Sequence, residues 1–225
     1  MTEVPAAFDR GARAYDRLVG LNPGYHVHLR RSAAAIPADA RRVLDAGCGT
    51  GASTAAVLSV VPGAEVVGLD GSAGMLAEAR RKPWPDGVSF VHSRAEDLAG
   101  IEGRFDAIFA AYLIRNLPDP DTTLAALRGL LRPGGVLVVH DYSVNDSLVA
   151  KAVWTAVCWS VIIPLGKVVS GDAGLYRYLW RSVLDFDGAT AFAARLRRAG
   201  FTGVRTSTMT GWQRGIVHTF RAEAA

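Results

Sequence analysis

The sequence of 225 residues predicts a doubly wound α/β domain on a mostly parallel sheet. Three observations lead there. Short apolar runs alternate with helical segments across residues 41–142, which implies right-handed strand–helix–strand crossovers. A glycine-rich turn follows the first run and opens a helix, as at the ligand edge of such sheets. Two further strand-like runs, 203–208 and 215–220, close the chain.

In chain order, residues 4–36 read as helical. Val43-Leu44-Asp45 is a first strand ending in glycines, and the Ala- and Val-rich stretch 52–61 is the helix after it. A second strand over 65–69 ends at Asp70, and Ser72 stands as N-cap to a helix over 73–80. Strands follow at 88–91 and 105–111. A helix over 122–131 stops at Arg132-Pro133-Gly134-Gly135. Residues 136–139 are continuously apolar, like a buried parallel strand. Beyond them come an apolar helix (148–163), a Tyr/Trp/Leu-rich segment (172–184) and an Ala/Arg helix (188–199). The parse is one domain: helical cap 1–40, cofactor-binding core 41–146, helical lid 147–186, and last helix with closing strands 187–225.

Half the residues are apolar and a fifth charged, which provides for a packed core and excludes a disordered chain. The formal charge of +4 is unevenly placed. Residues 43–150 hold 8 basic and 13 acidic residues, whereas 151–225 hold 10 basic and 4 acidic ones. The two cysteines, Cys48 and Cys158, give neither a disulfide framework nor metal-ligand spacing. Residues 1–13 mix charges without an apolar core, unlike a signal peptide. The apolar helix carries an uncharged stretch, 152–166, of 15 residues against the roughly 20 of a membrane span. A cytoplasmic protein is expected, with peripheral contact to an anionic membrane surface as an option, and an oligomeric state left open, a homodimer included.

Asp45-Ala46-Gly47-Cys48-Gly49-Thr50-Gly51 is the turn that carries chemistry. Its glycines allow close backbone approach to a ligand. Gly47, Gly49 and Ala52 satisfy a dinucleotide fingerprint, which alone is weak. Asp45 would repel a pyrophosphate and favour a cation. S-adenosylmethionine, with a sulfonium and an ammonium and no phosphate, suits it. Asp70, 19 residues after Gly51, can accept hydrogen bonds from ribose hydroxyls.

The glycine turn, Gly68-Leu69-Asp70 with Met75-Leu76, and Leu131-Arg132-Pro133-Gly134-Gly135 together resemble the Rossmann-like S-adenosylmethionine-dependent methyltransferases. That resemblance implies a seven-stranded sheet, mostly parallel with an antiparallel last strand. It also places Asp45 and the glycines Gly47, Gly49 and Gly51 at the methionine end, Asp70 at the ribose and Arg94-Ala95 at the adenine edge, with Thr50, Gly71, Met75 and Ala111 among the cofactor-binding residues. Arg94 stands where the family often has Asp. A narrower likeness, to the ubiquinone/menaquinone biosynthesis C-methyltransferases, rests on Phe8-Asp9, Ala12, Tyr15-Asp16 and His26, on Arg115-Asn116, on Asp141-Tyr142-Ser143, and on Tyr176-Arg177-Tyr178-Leu179 with Ser182. It implies a lipophilic phenol or quinol such as demethylmenaquinol, methylated at a ring carbon. It also implies that Tyr15 and Arg30 meet the cofactor's carboxylate.

A ring carbon becomes nucleophilic as the neighbouring phenol loses its proton, so a base or a cation must sit nearby. Arg115 is the candidate stabiliser of that phenolate, with Asn116 orienting it; an ion pair of Arg115 with Asp119 or Asp121 is the structural alternative. His140, ending the fifth strand, is a candidate base, and Asp141 a partner for it or for substrate hydroxyls. His26 and His28 point to different helix faces, against a shared metal site. Val149, Val153, Ala156, Val157, Val161 and Leu165 form a stripe on the apolar helix, which is either buried or a lid with Trp154 and Trp159 at a membrane interface. Arg195-Leu196-Arg197-Arg198 reads as a solvated charged face. Nucleic acid is not an expected partner, since Ala111-Tyr112-Leu113-Ile114 stands where a base-methylating tetrapeptide would lie. A tailoring methyltransferase acting on a polyketide or terpenoid, and a cofactor-binding accessory protein or cyclase, are the other readings.

Overall fold

A computed structural model describes Gly20 and residues 24–98, 100–170 and 173–225. The expectations at Phe8, Asp9, Ala12, Tyr15 and Asp16 lie outside the described residues. In chain order the elements are α1 (Tyr25–Ala33), β1 (Arg42–Ala46), α2 (Ala52–Leu58), β2 (Glu65–Asp70), α3 (Ala73–Arg80), β3 (Val88–His92), β4 (Phe105–Ala111), α4 (Pro120–Leu130), β5 (Leu131–Tyr142), α5 (Leu148–Val157), α6 (Ile163–Ser170), α7 (Gly174–Asp185), α8 (Ala189–Arg198), β6 (Phe201–Thr208) and β7 (Val217–Ala224).

The strands form one sheet in the order β3-β2-β1-β4-β5-β7-β6. β1 to β5 pair in parallel, β7 runs antiparallel to β5, and β6 antiparallel to β7. Only β7 is therefore reversed. The strand order turns outward in both directions from β1 and β4, and the crevice beyond their carboxyl ends is where ligands bind in such sheets. Alternation along each strand divides the core between the two faces. Leu44, Leu69, Ile108 and Leu137 face one layer with Phe192 and Phe220. Val43, Val66, Ala107, Phe109 and Val138 face the other, with Leu29 of α1 and Val57 of α2.

Local signals hold where they have a mechanism. Ser72 accepts a hydrogen bond from the Met75 amide and caps α3; Asp119 does the same for Thr122 at α4, whose first residue is Pro120. The stop at Arg132-Pro133-Gly134-Gly135 falls one element later than expected. Helix α4 ends at Leu130, and β5 already starts at Leu131, opposite Phe105, with an irregularity before Val136 meets Ala107. That irregularity absorbs the proline and glycines inside the strand.

The segment after β5 corrects the reading of the apolar helix. Residues 148–169 form one continuous rod of 22 residues, because a π turn at Cys158–Ile162 joins α5 to α6. Its inward face is Ala150, Trp154, Cys158, Ile163 and Gly166. The fourfold spacing lengthens by one residue across the π turn, which keeps that face on the core. Trp154 is fully buried, its ring 4.6 Å from that of Tyr142 and its indole N–H donating to the Trp180 carbonyl. The stripe of Val149, Val153, Ala156, Val161 and Leu165 faces solvent, with Val157 half-buried. Trp159 is half exposed. The rod is long and apolar enough to cross a membrane by length and composition, yet its Trp154 face is committed to the protein core.

Arg195 is a clamp rather than part of a solvated face. Its guanidinium reaches Asp187 at 2.6 Å and Asp121 at 2.5 Å, tying α8 to the start of α4.

Candidate active site

The cleft opens at the carboxyl ends of β1, β2 and β4. It is lined by Gly47, Cys48, Gly49, Thr50, Ala52 and Ser53 from the first turn, and by Leu69, Asp70, Gly71, Ser72 and Met75 from the second. Arg94, Ala95 and Glu96 follow β3, Ala111 to Leu113 and Arg115 to Leu117 follow β4, and Tyr25 closes it from α1. Of the residues read from sequence, Gly47, Gly49, Thr50, Asp70, Gly71, Met75, Arg94, Ala95, Ala111, Arg115 and Asn116 come together here.

Four others do not line the cleft. Gly51, with φ +90°, caps α2, and a Cβ there would lie 2.6 Å from the Trp84 ring; it serves packing beneath the turn. Arg30 is exposed, because the inward stripe of α1 is Tyr25, His28, Leu29, Ser32 and Ala33. His140 is fully buried, with Nε2 3.1 Å from the Tyr112 hydroxyl and Nδ1 3.2 Å from Thr219 Oγ1. Burial, helped by the nearby His28 and His218, pushes its pKa down to about 3. A ring so reluctant to take a proton is a poor base. Asp45 is the fourth. It lies beneath the cleft, where Ser53 and Thr54 each donate to its Oδ2 at 2.7 Å.

The backbone of the turn decides which ligand fits. The Gly47 and Cys48 amides donate to Leu69 O, the Gly51 amide to Cys48 O, and the Gly49 amide to Asp70 Oδ2 at 2.8 Å. Amides that would cradle a pyrophosphate are thus turned to protein acceptors. A side chain at Gly49, with φ +55°, would meet nothing within 4 Å, so that glycine borders open space for a ligand. Carboxylates dominate the surroundings. Asp70 also accepts from the Ser72 amide at 2.8 Å. Asp45 is buried with Oδ1 lacking a hydrogen-bond partner, and burial pushes its pKa up to about 7 against the pull of Thr54 and Ser53, with Asp70 adding repulsion. A cation without phosphates answers both features, and S-adenosylmethionine is such a group.

Among the described residues, the opposite wall carries the one buried cation of the cleft lining. Arg115 Nη1 lies 2.5 Å from Asp141 Oδ1 and 3.1 Å from the Tyr112 carbonyl. Its guanidinium stands over the rings of Tyr142 and Tyr112 at 5.4 and 5.8 Å. The partner is Asp141, from the end of β5, and not Asp119 or Asp121. Burial raises the Asp141 carboxyl above the usual range although Arg115 and the Tyr142 amide pull it down. Asn116 donates to the Tyr112 carbonyl at 2.8 Å and accepts from the Tyr178 hydroxyl at 3.1 Å, which brings α7 to the cleft edge. Arg94 is turned to Glu96 at 2.9 Å, leaving Ala95 as the inward residue of that pair. His26 is exposed and His28 buried, as their spacing requires. Cys48 is buried and its thiol pushed well up, which fits a packing residue.

Sequence reasoning missed Tyr112 and Tyr25, which stack with ring centroids 5.7 Å apart. Tyr112 follows the carboxyl end of β4, and that position is the signal that could have found it.

Fold and site together define an S-adenosylmethionine-dependent methyltransferase. The sequence profile of the ubiE/COQ5 methyltransferase family matches residues 2–222, and the chain belongs to that family. Demethylmenaquinone methyltransferase of Clavibacter sepedonicus is 34% identical over 221 residues, covering 96% of this chain and 87% of the relative. Demethylmenaquinone methyltransferase of Thermus thermophilus is 36% identical over 208 residues, covering 90% and 94%. Among solved structures, a possible histamine N-methyltransferase of Thermotoga maritima shares the fold with a TM-score of 0.68 at 19% identity, covering 97% of this chain and 98% of that one.

Proposed function

We propose that the chain methylates a ring carbon of a lipophilic phenol or quinol of the demethylmenaquinol type, as a cytoplasmic enzyme in peripheral contact with an anionic membrane. The observation that carries this reading is Arg115, a guanidinium only 5% exposed, caged by tyrosine rings at the edge of the cleft. A fixed cation in a site of low dielectric lowers the pKa of a phenol beside it and stabilises the phenolate. Asp141 holds the guanidinium in place, and Asn116 ties the same loop to the lid through Tyr178. The bound cofactor supplies an electrophilic methyl group. Asp70 accepts from its ribose hydroxyls, Met75 and Ala95 flank its adenine, and Gly47, Gly49, Thr50, Gly71 and Ala111 shape its seat. Asp45 acts through Ser53 and through its field. The demethylmenaquinone methyltransferases similar to this chain support the acceptor class. Incubation of the protein with S-adenosylmethionine and demethylmenaquinol is expected to yield S-adenosylhomocysteine and a product heavier by one methylene, with the new methyl on the ring by NMR. Cofactor binding without any methylated product overturns the reading.

The lid supports the membrane contact. Leu148, Val149, Trp159, Val161 and Val168 are half or more exposed on one rod, flanked by Lys151 and Lys167, with Arg177 and Arg181 on the neighbouring α7. An apolar face rimmed by cations lies down on an anionic bilayer. The parent protein is expected to float with vesicles containing phosphatidylglycerol, and Trp159→Ser with Val168→Ser to float several-fold less. Failure of the parent to float sinks the contact.

A further inference from the structure

Among the described residues, the large apolar side chains left exposed gather at one edge of the sheet. Apart from Val27 of α1, they lie on the rod of α5 and α6, on α7, and on the turn between β6 and β7. Each of these elements is held at the carboxyl edge of the parallel strands. The rod packs through Trp154 on Tyr142, the last residue of β5. Tyr178 of α7 reaches Asn116, beyond the end of β4. Because β7 runs antiparallel to β5 and starts with Val217 opposite Tyr142, the turn of residues 209–216 lies at that edge too. Its Met209 and Ile216 belong to the same apolar cluster as Trp154 and Cys158 of the rod. The cleft opens at this edge as well.

The turn is packed the wrong way round for a surface that meets only water. Within it Gly211–Gln213 form a single 3₁₀ turn. Gln213 is 1% exposed, and neither atom of its amide has a hydrogen-bond partner. Trp212 beside it is 40% exposed, and Arg214 is exposed. Water favours the reverse, with the amide outside and the indole inside. An outward indole next to a guanidinium suits the headgroup region of a bilayer, where a ring is half wet and a cation meets phosphate.

The charges choose the partner. Lys151, Lys167, Arg177 and Arg214 take part in no ion pair among the described residues. The nearby acids are engaged: Asp185 lies 3.8 Å from Arg181, Asp146 accepts from Thr190, and Asp187 holds Arg195. A second copy docked across a twofold axis would bring the same cations face to face. An anionic bilayer meets them with opposite charge.

We propose that the β6–β7 turn is a second membrane anchor, with Trp212 in the interface and Arg214 on anionic headgroups, so that the protein rests on the bilayer by the carboxyl edge of its sheet. The inference rests on the membrane contact read from the rod, and adds to it an element and an orientation. The cleft then opens at the lipid surface, and a lipophilic acceptor passes to it from the leaflet without crossing water.

Cys48 and Cys158 are both buried, so a single cysteine placed on the surface takes a thiol-reactive, polarity-sensitive fluorophore. Trp212→Cys reports the turn, Val168→Cys the rod, and Glu102→Cys, exposed before β4, the opposite edge. With phosphatidylglycerol vesicles the probes on the turn and the rod are expected to brighten and shift to the blue, while the third stays unchanged. Phosphatidylcholine vesicles should give much less. Trp212→Ser with Arg214→Gln should float several-fold less than the parent and bind S-adenosylhomocysteine as the parent does. A response on the rod alone, or equal flotation of parent and double variant, overturns the proposal and leaves the contact of the rod standing. A response at all three positions marks unspecific adsorption, and one on the turn that appears on concentrating the protein without vesicles marks a second copy; either overturns the proposal. Silence at every position, with a parent that does not float, removes the membrane contact beneath it as well.

Discussion

Arg115→Ala is expected to lower kcat by about 10²–10³, the loss seen when a fixed group that stabilises developing charge is removed. The same substitution strips Asp141 of its ion-pair partner inside the protein, which costs about 3–5 kcal/mol. Loss of activity by the single variant would therefore say little. Asp141→Asn in the same chain removes the stranded carboxylate while keeping its shape and its acceptor for the Tyr142 amide. The double variant should recover most of the urea midpoint and none of the activity. Arg115→Lys keeps the charge but loses the planar guanidinium that stands over the Tyr142 and Tyr112 rings, and should fall between. The pH profile separates the roles. With the guanidinium gone the bound phenol regains its ordinary acidity, so the remaining activity of the double variant should climb steadily with pH toward the phenol range. An unchanged profile, merely scaled down, would sink Arg115 as the stabiliser.

The parts of this molecule that the sequence exposes are those fixed by neighbours in the chain. The continuous apolar runs of β1 and β4, the Ser72 cap and the glycine turn between β1 and α2 are local, and each is readable. Contacts between distant segments are not. Nothing in the run Ala111-Tyr112-Leu113 announces a left-handed Tyr112, with φ +56°, because that conformation is imposed by His140, Arg115 and Asn116 from outside the residue. The partner of Arg115 comes from β5, 26 residues on, while nearer acids at Asp119 and Asp121 cap α4 and bind Arg195 instead. Trp154 and Trp159 look alike in the sequence. Five residues apart on a helix they point in different directions, and the inward spacing through Ala150 and Cys158 selects Trp154. The exposure of the remaining valines then follows from the fold and from no local signal.

Asp45→Asn should produce the second large effect, with opposite signs for stability and for cofactor binding. The Asp45 carboxyl, buried and pushed up to about 7, holds its proton in the folded protein where an unfolded chain has lost it. Below the unfolded value, near 3.9, both states are protonated and the group is neutral to stability. As pH rises from there to about 7 the unfolded state alone releases its proton, so folding stability falls across that window, by about 4 kcal/mol in all. Above about 7 the folded state ionises too and the fall ends. Asparagine carries no such dependence, and its carbonyl still accepts from Ser53 and Thr54. Without cofactor, Asp45→Asn should therefore match the parent near pH 4 and be the more stable protein at pH 8, by urea denaturation. Cofactor binding runs the other way. A cationic ligand above Asp45 favours the carboxylate, so the parent should bind S-adenosylmethionine more tightly at pH 8 than at pH 6 and release a proton on binding at the lower pH. Calorimetry in two buffers of different ionisation enthalpy counts that proton. The variant should bind about tenfold more weakly at pH 8 and with no proton release, since an amide offers no charge to the sulfonium and ammonium. Parallel stability curves for the two proteins, or equal cofactor affinities at pH 8, would show that the ionised Asp45 is not what the cation answers to; the gain in one property with the loss of the other marks a buried acid kept for its ligand at the expense of the fold.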